Sequence, residues 1–388
     1  MPVVNRIAGL QEEIAGWRRD LHANPELLYD VHRTAGVVAD KLRSFGCDEV
    51  ATAIGKTGVV AAIKGRGTAS GKTIGLRADM DALPIQEATG LAYASKVPGK
   101  MHACGHDGHT AMLLGAAKYL CDTRNFDGTA VVIFQPAEEG GAGAKAMIDD
   151  GLMDRWRIQE VYGMHNYPGL PVGHFALRPG PLLAAADRVH ITIEGRGGHA
   201  ARPHECIDTV LVGAHIVAAL QSVVARNVDP LESGVVSICM FHAGTAGNII
   251  PDRAELTGTA RSLVPHVRDV LQERTVAVAE TTARMFGATA KAVYTRDYPV
   301  TRNHERQTAF AAAVAADVSG DGQVDRAIAP VMGGEDFAFM LEARPGAFIF
   351  VGNGKSAGLH NPAYDFNDTV IPTGASYWAR LVERAMPV

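Results

Sequence analysis

The stretch Ile74-Gly75-Leu76-Arg77-Ala78-Asp79-Met80-Asp81 places a mostly apolar run directly before two acids. This pattern predicts a buried β-strand whose carboxyl end carries Asp79 and Asp81. In α/β proteins, active sites lie at the carboxyl ends of the strands. The stretch therefore predicts an α/β fold with its chemistry at one edge of a sheet.

The next feature outward is the turn Met101-His102-Ala103-Cys104-Gly105-His106-Asp107-Gly108-His109, followed by a helix-forming run from Thr110 to Ala117. Thiol, imidazole and carboxylate groups on a turn before a helix are typical of a transition-metal site. Whether such a site forms depends on ligands from elsewhere in the chain.

Three later segments repeat the order of an apolar strand followed by possible ligands. The carboxyl ends of parallel strands meet at one edge of a sheet, so these groups are expected to converge there. With Cys104 and His106 they are enough for two adjacent divalent ions. The segments are Thr129 to Gln135 before Glu138 and Glu139, Val161 to Met164 before His165, and Ala347 to Val351 before His360.

The adjacent acids Glu138 and Glu139 are predicted to have different roles. Neighbouring residues of extended backbone point to opposite sides, so one acid is expected to bind metal and the other to face a water. A carboxylate beside a metal-activated water can act as a general base. Taken alone, the two acids are more typical of a solvated turn, Cys104 of a small buried residue, and His165 or His360 of a hydrogen-bonded structural histidine.

The pattern changes near residue 186. Apolar and polar residues alternate from Arg188 to Glu194, and the strands and helices that follow have the β-α-β-β-α-β order of a ferredoxin-like unit. We predict a metal-binding catalytic domain over 1–185 and 298–388, with an inserted domain over 186–297.

Composition excludes several classes of protein. The 388 residues carry a formal net charge of −5, which argues against general nucleic-acid binding. No uninterrupted apolar run approaches the ~20 residues of a spanning helix, which argues against a membrane protein. The 5 cysteines are odd in number and scattered, and Met1 to Asp20 lacks a secretory signal, so we predict a reduced, cytoplasmic protein.

The chain resembles the M20 metallopeptidase family, in the subfamily of hippurate hydrolases, plant auxin-conjugate hydrolases and N-acyl-amino-acid deacylases. The motifs that carry this resemblance span nearly the whole chain in order. They are Leu76 to Pro84, Met101 to His109, Phe134 to Gly140, Gly163 to His165, Gly195 to His204, Gly244 to Pro251, Met332 to Phe337 and Leu359 to Pro362.

The resemblance implies a zinc-peptidase-like catalytic domain with a mixed, mostly parallel sheet, and an inserted lid and dimerisation domain. It implies an amidohydrolase that cleaves the amide bond of N-acyl or N-aroyl amino acids such as hippurate. Glu138 would be the general base. Two divalent ions per subunit, zinc or manganese with cobalt and nickel left open, would be bound by Cys104, His106, Glu139, His165 and His360.

Many relatives carry His-x-Asp where this chain has Asp79-Met80-Asp81. We therefore do not assign Asp79 as a ligand, and we expect Asp81 to orient a ligand histidine. By resemblance, His199 stabilises the oxyanion, from its own or a partner subunit. The alternative for His199 is a loop histidine paired with Glu194 or Glu205.

The resemblance further implies that Asn248 holds the substrate near its carboxylate or carbonyl. Arg261 suits pairing with the α-carboxylate, or is a surface strand arginine. The expected partners are a small N-acyl amino acid and a second copy of the chain, in a homodimer or homotetramer formed through the inserted domain. Two alternative functions stay open: an N-acetyl-diaminopimelate-type deacetylase and a catalytically inactive metal-binding protein.

Overall fold

The computed structural model describes residues 4–388, so the first three residues of the predicted catalytic domain lie outside the described residues. The strands are β1 Glu49–Ile54, β2 Gly58–Lys64, β3 Thr73–Asp79, β4 Thr129–Gln135, β5 Glu160–Pro168, β6 Phe175–Ala176, β7 Gly180–Leu183, β8 Ala185–Glu194, β9 Gly198–His199, β10 Gly234–Ala243, β11 Ile249–Ile250, β12 Arg253–Ser262, β13 Thr289–Tyr298, β14 Thr301–Asn303, β15 Val324–Asp325 and β16 Gly346–Gly354. The helices are α1 Asn5–Ala8, α2 Gln11–Ala23, α3 His32–Ser44, α4 His106–Thr123, α5 Gly143–Asp149, α6 Leu152–Arg155, α7 Thr209–Asn227, α8 Pro265–Met285, α9 Glu305–Ser319, α10 Ala338–Ala343 and α11 Ile371–Ala385.

The chain divides into two compact units. The first unit contains the described residues up to Gly180 together with Arg302–Ala329 and Asp336–Val388. The second unit contains Pro181–Thr301 and Pro330–Glu335.

The first unit is built on an eight-stranded sheet in the order β1-β2-β4-β3-β5-β16-β6-β15. The four central strands β4, β3, β5 and β16 run parallel, whereas β1 and β2 pair antiparallel with their neighbours. At the other edge, β6 pairs antiparallel with β16 and parallel with β15. β3 is buried along its whole length, as a central strand covered on both faces requires. The predicted α/β fold with a mixed, mostly parallel sheet is confirmed.

Helices cover this sheet, and α4 is the most deeply buried of them. It begins at His106, directly after the turn predicted to bind metal, and packs against α2, α11 and β3. The amino-terminal segment forms two helices, α1 and α2, because the chain breaks between Ala8 and Gln11.

The second unit is a four-stranded antiparallel sheet in the order β10-β12-β8-β13, with α7 and α8 packed against it. The order of its main elements is β8-α7-β10-β12-α8-β13, so the predicted ferredoxin-like arrangement is confirmed. In β8, Val189, Ile191 and Ile193 face the core while alternate residues are polar, as the alternation predicted.

By length and composition, helix α7 is long and apolar enough to cross a membrane. The absence of a long uninterrupted apolar run in the sequence did not predict such a helix. Length and composition are weak evidence for a span, because a core helix passes the same test. The helix buries Val212, Ile216, Leu220 and Val223 in the core of the second unit. We therefore interpret α7 as a packing helix.

Candidate metal centre

The potential ligands gather where the central strands of the first unit end. β3, β4, β5 and β16 are parallel, so their carboxyl ends share one edge. The turn of Glu138 and Glu139 follows β4, and His165 lies within β5. His360 lies in the loop after β16. The structure therefore brings these candidate ligands together at one edge of the sheet, as the sequence predicted.

The five residues predicted to bind metal form two overlapping groups that share one thiol. Ligand atoms of Cys104, His106 and His165 lie within 4.8 Å of one another, as do those of Cys104, Glu139 and His360. The Cys104 Sγ atom is 3.4 Å from His165 Nε2, and His360 Nε2 is 3.3 Å from Glu139 Oε1. These two groups could hold two divalent ions, and the thiol of Cys104 is available to both groups.

The turn that presents Cys104 depends on a glycine. Gly105 has φ of +89°, in the left-handed region that favours glycine. A Cβ atom at this position would lie 2.3 Å from Asn166 Nδ2 and 2.6 Å from the Tyr364 hydroxyl. Gly105 therefore allows the thiol turn to pass close to β5 immediately before α4 starts.

Hydrogen bonds fix which ring nitrogen donates in two of the candidate ligand imidazoles. His106 Nδ1 donates to the backbone carbonyl of Asp81 at 2.8 Å, and His165 Nδ1 donates to the carbonyl of Asn166 at 2.7 Å. In its neutral form each ring then carries its lone pair on Nε2, the nitrogen that faces the other candidate ligands. His106 Nε2 is buried and has no hydrogen-bond partner among the described residues, which fits a metal ligand.

The acids Glu138 and Glu139 lie in a turn rather than in the extended backbone that the sequence argument assumed. Both carboxylates come within 4.8 Å of His106 as a result. The turn is held by Asp81, whose carboxylate accepts the backbone N–H groups of Glu138 and Glu139 at 3.0 and 3.1 Å. The carboxylate of Asp81 thus positions the acids, and its backbone carbonyl orients His106.

The carboxylate of Asp79 accepts hydrogen bonds from residues outside the candidate ligand set. Its two oxygens accept hydrogen bonds from His109 Nδ1 at 2.6 Å and from Arg77 Nη1 at 2.7 Å. His109 Nε2 in turn accepts the backbone N–H of Asn166 at 2.9 Å. Although Asp79, His106 and His109 could together hold an ion, these bonds favour a supporting role for Asp79 and His109.

Three supporting residues were missed by the sequence reasoning: Arg77, Asn166 and Tyr364. Asn166 Nδ2 donates to the carbonyl of Cys104 at 2.7 Å, and the Tyr364 hydroxyl donates to Asn166 Oδ1 at 2.7 Å. The signal for Arg77 was a cation inside an otherwise apolar strand. Asn166 and Tyr364 carried no comparable signal, because only the fold brings them to the Cys104 turn.

The site carries an excess of negative charge. Burial lowers the pKa of His106, but the carboxylates of Asp79, Asp81 and Glu139 outweigh burial and raise it to about 10. Burial also lowers the pKa of His165 well below its usual range, and His109 acts in the same direction, so His165 is neutral. A divalent cation would neutralise the carboxylates that otherwise hold a proton on His106.

The residues predicted to contact substrate lie in the second unit. His199 is exposed in β9, which pairs with β11, and its Nδ1 accepts the backbone N–H of Ala201 at 3.0 Å. Its proton is therefore carried on Nε2. The carbonyl of Asn248 accepts the N–H of Ala200 at 3.1 Å, so Asn248 and His199 are neighbours.

Arg261 does not lie near His199 and Asn248. It is half-buried near the end of β12 and donates to the Ala260 carbonyl at 3.0 Å. His199 lies beyond the other end of that sheet, where Arg253 pairs with Glu194. The eight-residue span from Arg253 to Arg261 corresponds to about 26 Å of strand. The ion pair considered for His199 is absent among the described residues, since Glu205 lies instead near Arg202 and His204.

Comparison with known proteins matches residues 75–384 to the model of "Peptidase family M20/M25/M40". The chain belongs to this family. It is 44% identical over 381 residues to a hippurate hydrolase of Campylobacter jejuni, covering 98% of each chain. It is 41% identical over 365 residues to an N-acetylcysteine deacetylase of Bacillus subtilis, covering 94% of each chain.

A solved structure agrees with the fold of this M20 chain. The Bacillus subtilis YXEP protein, described as a dinuclear metal binding peptidase from the M20 family, is 36% identical with a TM-score of 0.84, covering 98% of this chain and 99% of that one. The prediction of an M20 amidohydrolase, an enzyme acting on amide bonds, is confirmed by the family and these relatives.

Proposed function

We propose that the chain hydrolyses the amide bond that joins an acyl or aroyl group to an amino acid, with hippurate-like compounds as substrates. The observation that carries this proposal is the pair of ligand groups sharing Cys104, with the carboxylate of Glu138 beside them. The similarity to a hippurate hydrolase and to an N-acetylcysteine deacetylase supports the substrate class.

Two divalent ions per subunit would be held by the residues named above, with Cys104 contributing to both positions. Thiolate and imidazole ligands suit zinc, while the carboxylate also suits manganese, cobalt or nickel. When bound, such ions acidify a water to a pKa of about 7 and polarise a carbonyl oxygen. The unpartnered Nε2 atom of His106 supports this cofactor assignment.

Glu138 is the general base in this proposal. Its carboxylate takes a proton from the water that attacks the substrate carbonyl, and the protonated carboxyl then delivers a proton to the leaving amine. Asp81 holds Glu138 in place through the backbone N–H of that residue. His199, with its proton on Nε2, donates to the oxyanion that forms on the carbonyl oxygen.

Asn248 and Arg261 are proposed to hold the rest of the substrate. Asn248 contacts the carbonyl or carboxylate, and Arg261 pairs with the α-carboxylate through its guanidinium fork. The metal ligands and the general base belong to the first unit, and the second unit, as the inserted domain, supplies His199 and serves as lid and dimerisation surface.

A homodimer, or a homotetramer built from it, is proposed from the geometry of the second unit. Arg261 lies near one end of the four-stranded sheet and His199 lies beyond its other end, in β9, so a single copy would not bring both to one small substrate. A second copy that supplies His199 resolves this separation. The strand β10 is an edge of the sheet, and Met240 and Phe241 on it are 50% and 39% exposed, which suits an interface between copies.

Complementation tests this arrangement. His199→Ala and Glu138→Gln variants would be co-expressed with different tags, and the mixed dimer isolated. If His199 acts on the partner's site, one of the two sites in the mixed dimer is intact, and about half of the normal activity should return. No recovery above the parent variants would assign His199 to its own subunit.

We place the enzyme in the cytoplasm. All five cysteines are free thiols, which suits a reducing compartment and leaves Cys104 available as a ligand.

A turnover panel tests the proposed function. The protein would be stripped with a chelator, reloaded separately with zinc, manganese, cobalt or nickel, and assayed on hippurate, several N-acetyl amino acids and N-acetyl-diaminopimelate. We expect turnover of hippurate-like compounds by at least one loaded form. Preference for N-acetyl-diaminopimelate over every other compound would favour the biosynthetic deacetylase. Failure to bind metal, together with no turnover, would favour the inactive binding protein.

A further inference from the structure

A pair of cysteines lies in the first unit, outside the candidate ligand groups. Cys47 follows α3 and is half-buried, and Cys121 lies near the end of α4 and is 8% exposed. Their Sγ atoms are 3.5 Å apart, although the two residues are 74 positions apart in the sequence. Neither residue belongs to the groups that could hold a metal ion.

The guanidinium group of Arg124 supports the contact between the two thiols. Arg124, at the end of α4, donates to the carbonyl of Gly46 at 2.8 Å and to the carboxylate of Asp48 at 2.7 Å. These are the residues on either side of Cys47. The guanidinium therefore holds the segment of Cys47 against the end of the helix that carries Cys121.

The backbone on the Cys47 side is fixed as well. The N–H of Cys47 donates to the carbonyl of Leu42 at 3.3 Å, and the N–H of Asp48 donates to the carbonyl of Ala62 at 2.9 Å. To form a disulfide, the two sulfur atoms must approach from 3.5 Å to about 2.05 Å, while these bonds hold the backbone of the Cys47 segment.

The same surroundings make one thiol of the pair more acidic. The hydrogen bond from Cys47 lowers the pKa of the Cys121 thiol, and the cation of Arg124 acts in the same direction, while burial opposes both. A thiolate is the nucleophilic form of cysteine, so the pair combines a nucleophile with a second thiol in contact.

We propose that Cys47 and Cys121 form an oxidisable dithiol, which a small hydroperoxide such as hydrogen peroxide converts to a disulfide. One thiolate attacks an oxygen of hydrogen peroxide, the O–O bond breaks, and a sulfenic acid and a hydroxide result; the hydroxide takes up the proton that the thiol released on ionisation and becomes water. The second thiol then attacks the sulfenic sulfur, the S–S bond forms, and a second water leaves. The two thiols lose two electrons and two protons, and the peroxide is reduced to two waters.

The disulfide would tether the segment after α3 to α4, the helix whose first residue is His106. Because a cross-link between distant positions restricts the unfolded chain, the oxidised protein should unfold at a higher temperature than the reduced protein. This proposal does not depend on the substrate of the enzyme.

Peptide mapping under non-reducing conditions tests it on the metal-loaded protein. Treatment with hydrogen peroxide should lower the intact mass by about 2 Da, the mass of two hydrogens lost on forming one disulfide. After trypsin, the peptides of residues 44–56 and 119–124 should run as one cross-linked species, which dithiothreitol separates. The thermal unfolding midpoint should rise by a few degrees and return on reduction.

Variants provide the controls. Cys47→Ser and Cys121→Ser should each abolish the cross-link, whereas Cys239→Ser, which removes an exposed thiol of the second unit, should leave it unchanged. Arg124→Ala should slow cross-linking severalfold. The proposal fails if both peptides stay unlinked in wild-type protein while Cys239 is oxidised, or if Cys47 and Cys121 proceed separately to sulfinic acids. Both of these outcomes are read on the wild-type chain, so they do not depend on how a variant folds.

Discussion

The five candidate ligands of the first unit and the three proposed substrate residues of the second unit differ in how completely the fold determines their positions. The ligand atoms lie within 4.8 Å of one another in each group, and hydrogen bonds set the tautomers of His106 and His165. In contrast, His199 is exposed, and Arg261 lies toward the other end of its sheet. The candidate ligands are thus brought together by neighbouring strand ends of one unit, whereas the second unit does not bring Arg261 to His199 and Asn248.

The strongest test of the first set is Glu138→Gln. Removing the base should lower kcat about 10³-fold, within the range for general acid–base catalysis, while the metal content stays unchanged. Steady-state kinetics and elemental analysis measure the two quantities. Glu139→Gln is the matched control, and it should lose metal as well as activity. Near-normal turnover by Glu138→Gln would show that another group is the base.

The second test separates the two ligand groups by stoichiometry. Cys104→Ala removes a ligand from both groups and should lower the binding of both ions, whereas His360→Ala removes a ligand from one group only and should leave one ion tightly bound. Metal titration with a competing chromophoric chelator measures the number and affinity of the ions. If His360→Ala loses both ions at the same chelator concentration, the two positions are not independent.

Asn166→Ala probes the support behind the ligands. This side chain links the carbonyl of Cys104 to the hydroxyl of Tyr364, so its loss should weaken metal binding by about 10- to 100-fold. Tyr364→Phe removes one of these bonds and should have a smaller effect. The same chelator competition measures both variants. Unchanged metal affinity in Asn166→Ala would mean that the Cys104 turn is held by Gly105 and the helix alone.

Arg261→Ala examines the second set. Loss of a charge-assisted hydrogen bond to the substrate carboxylate should lower kcat/KM about 10- to 100-fold, mainly through KM. Arg253→Ala, at the other end of the same strand, is the matched control and should behave like the wild type. Amide substrates without an α-carboxylate should show no difference between Arg261→Ala and the wild type. A difference that persists with such substrates would assign Arg261 to the stability of the sheet.

The smallest expected effect is on stability and comes from His22 in α2. Burial lowers the pKa of His22, but the carboxylates of Asp107 and Glu87 raise it to about 9. A group whose pKa rises on folding stabilises the protein while it is protonated. Its contribution, on the order of 3 kcal/mol at most, is complete below pH 6.5 and disappears as the pH rises through about 9.

His22→Gln should therefore lower the thermal midpoint most at pH 6 and least above pH 9. His32→Gln, an exposed histidine on α3, should show no such pH dependence. Thermal unfolding of the three proteins from pH 6 to 9.5 gives the difference. A difference in thermal midpoint between His22→Gln and the wild type that stays constant over this range would exclude the charge on His22 as its cause.

The catalytic half of this molecule was largely predictable from the sequence, for a physical reason. Buried parallel strands give long apolar runs, and the groups that follow them must meet at one edge, so Cys104, Glu139 and His165 could be placed together without coordinates. The turn conformation of Glu138 and Glu139 was not predictable, because it depends on the carboxylate of Asp81. That carboxylate lies 57 and 58 positions earlier in the sequence and accepts the backbone N–H groups of the two acids. Asn166 and Tyr364 were missed because their contacts join residues 198 positions apart.

The exposure of His360 has a consequence for the rates at which ions enter and leave the proposed centre. The side chain of His360 is 53% exposed, whereas that of His106 is 0% exposed. Water can displace a ligand most readily where solvent already reaches it, so an ion held by Glu139 and His360 would exchange faster than an ion held by His106 and His165.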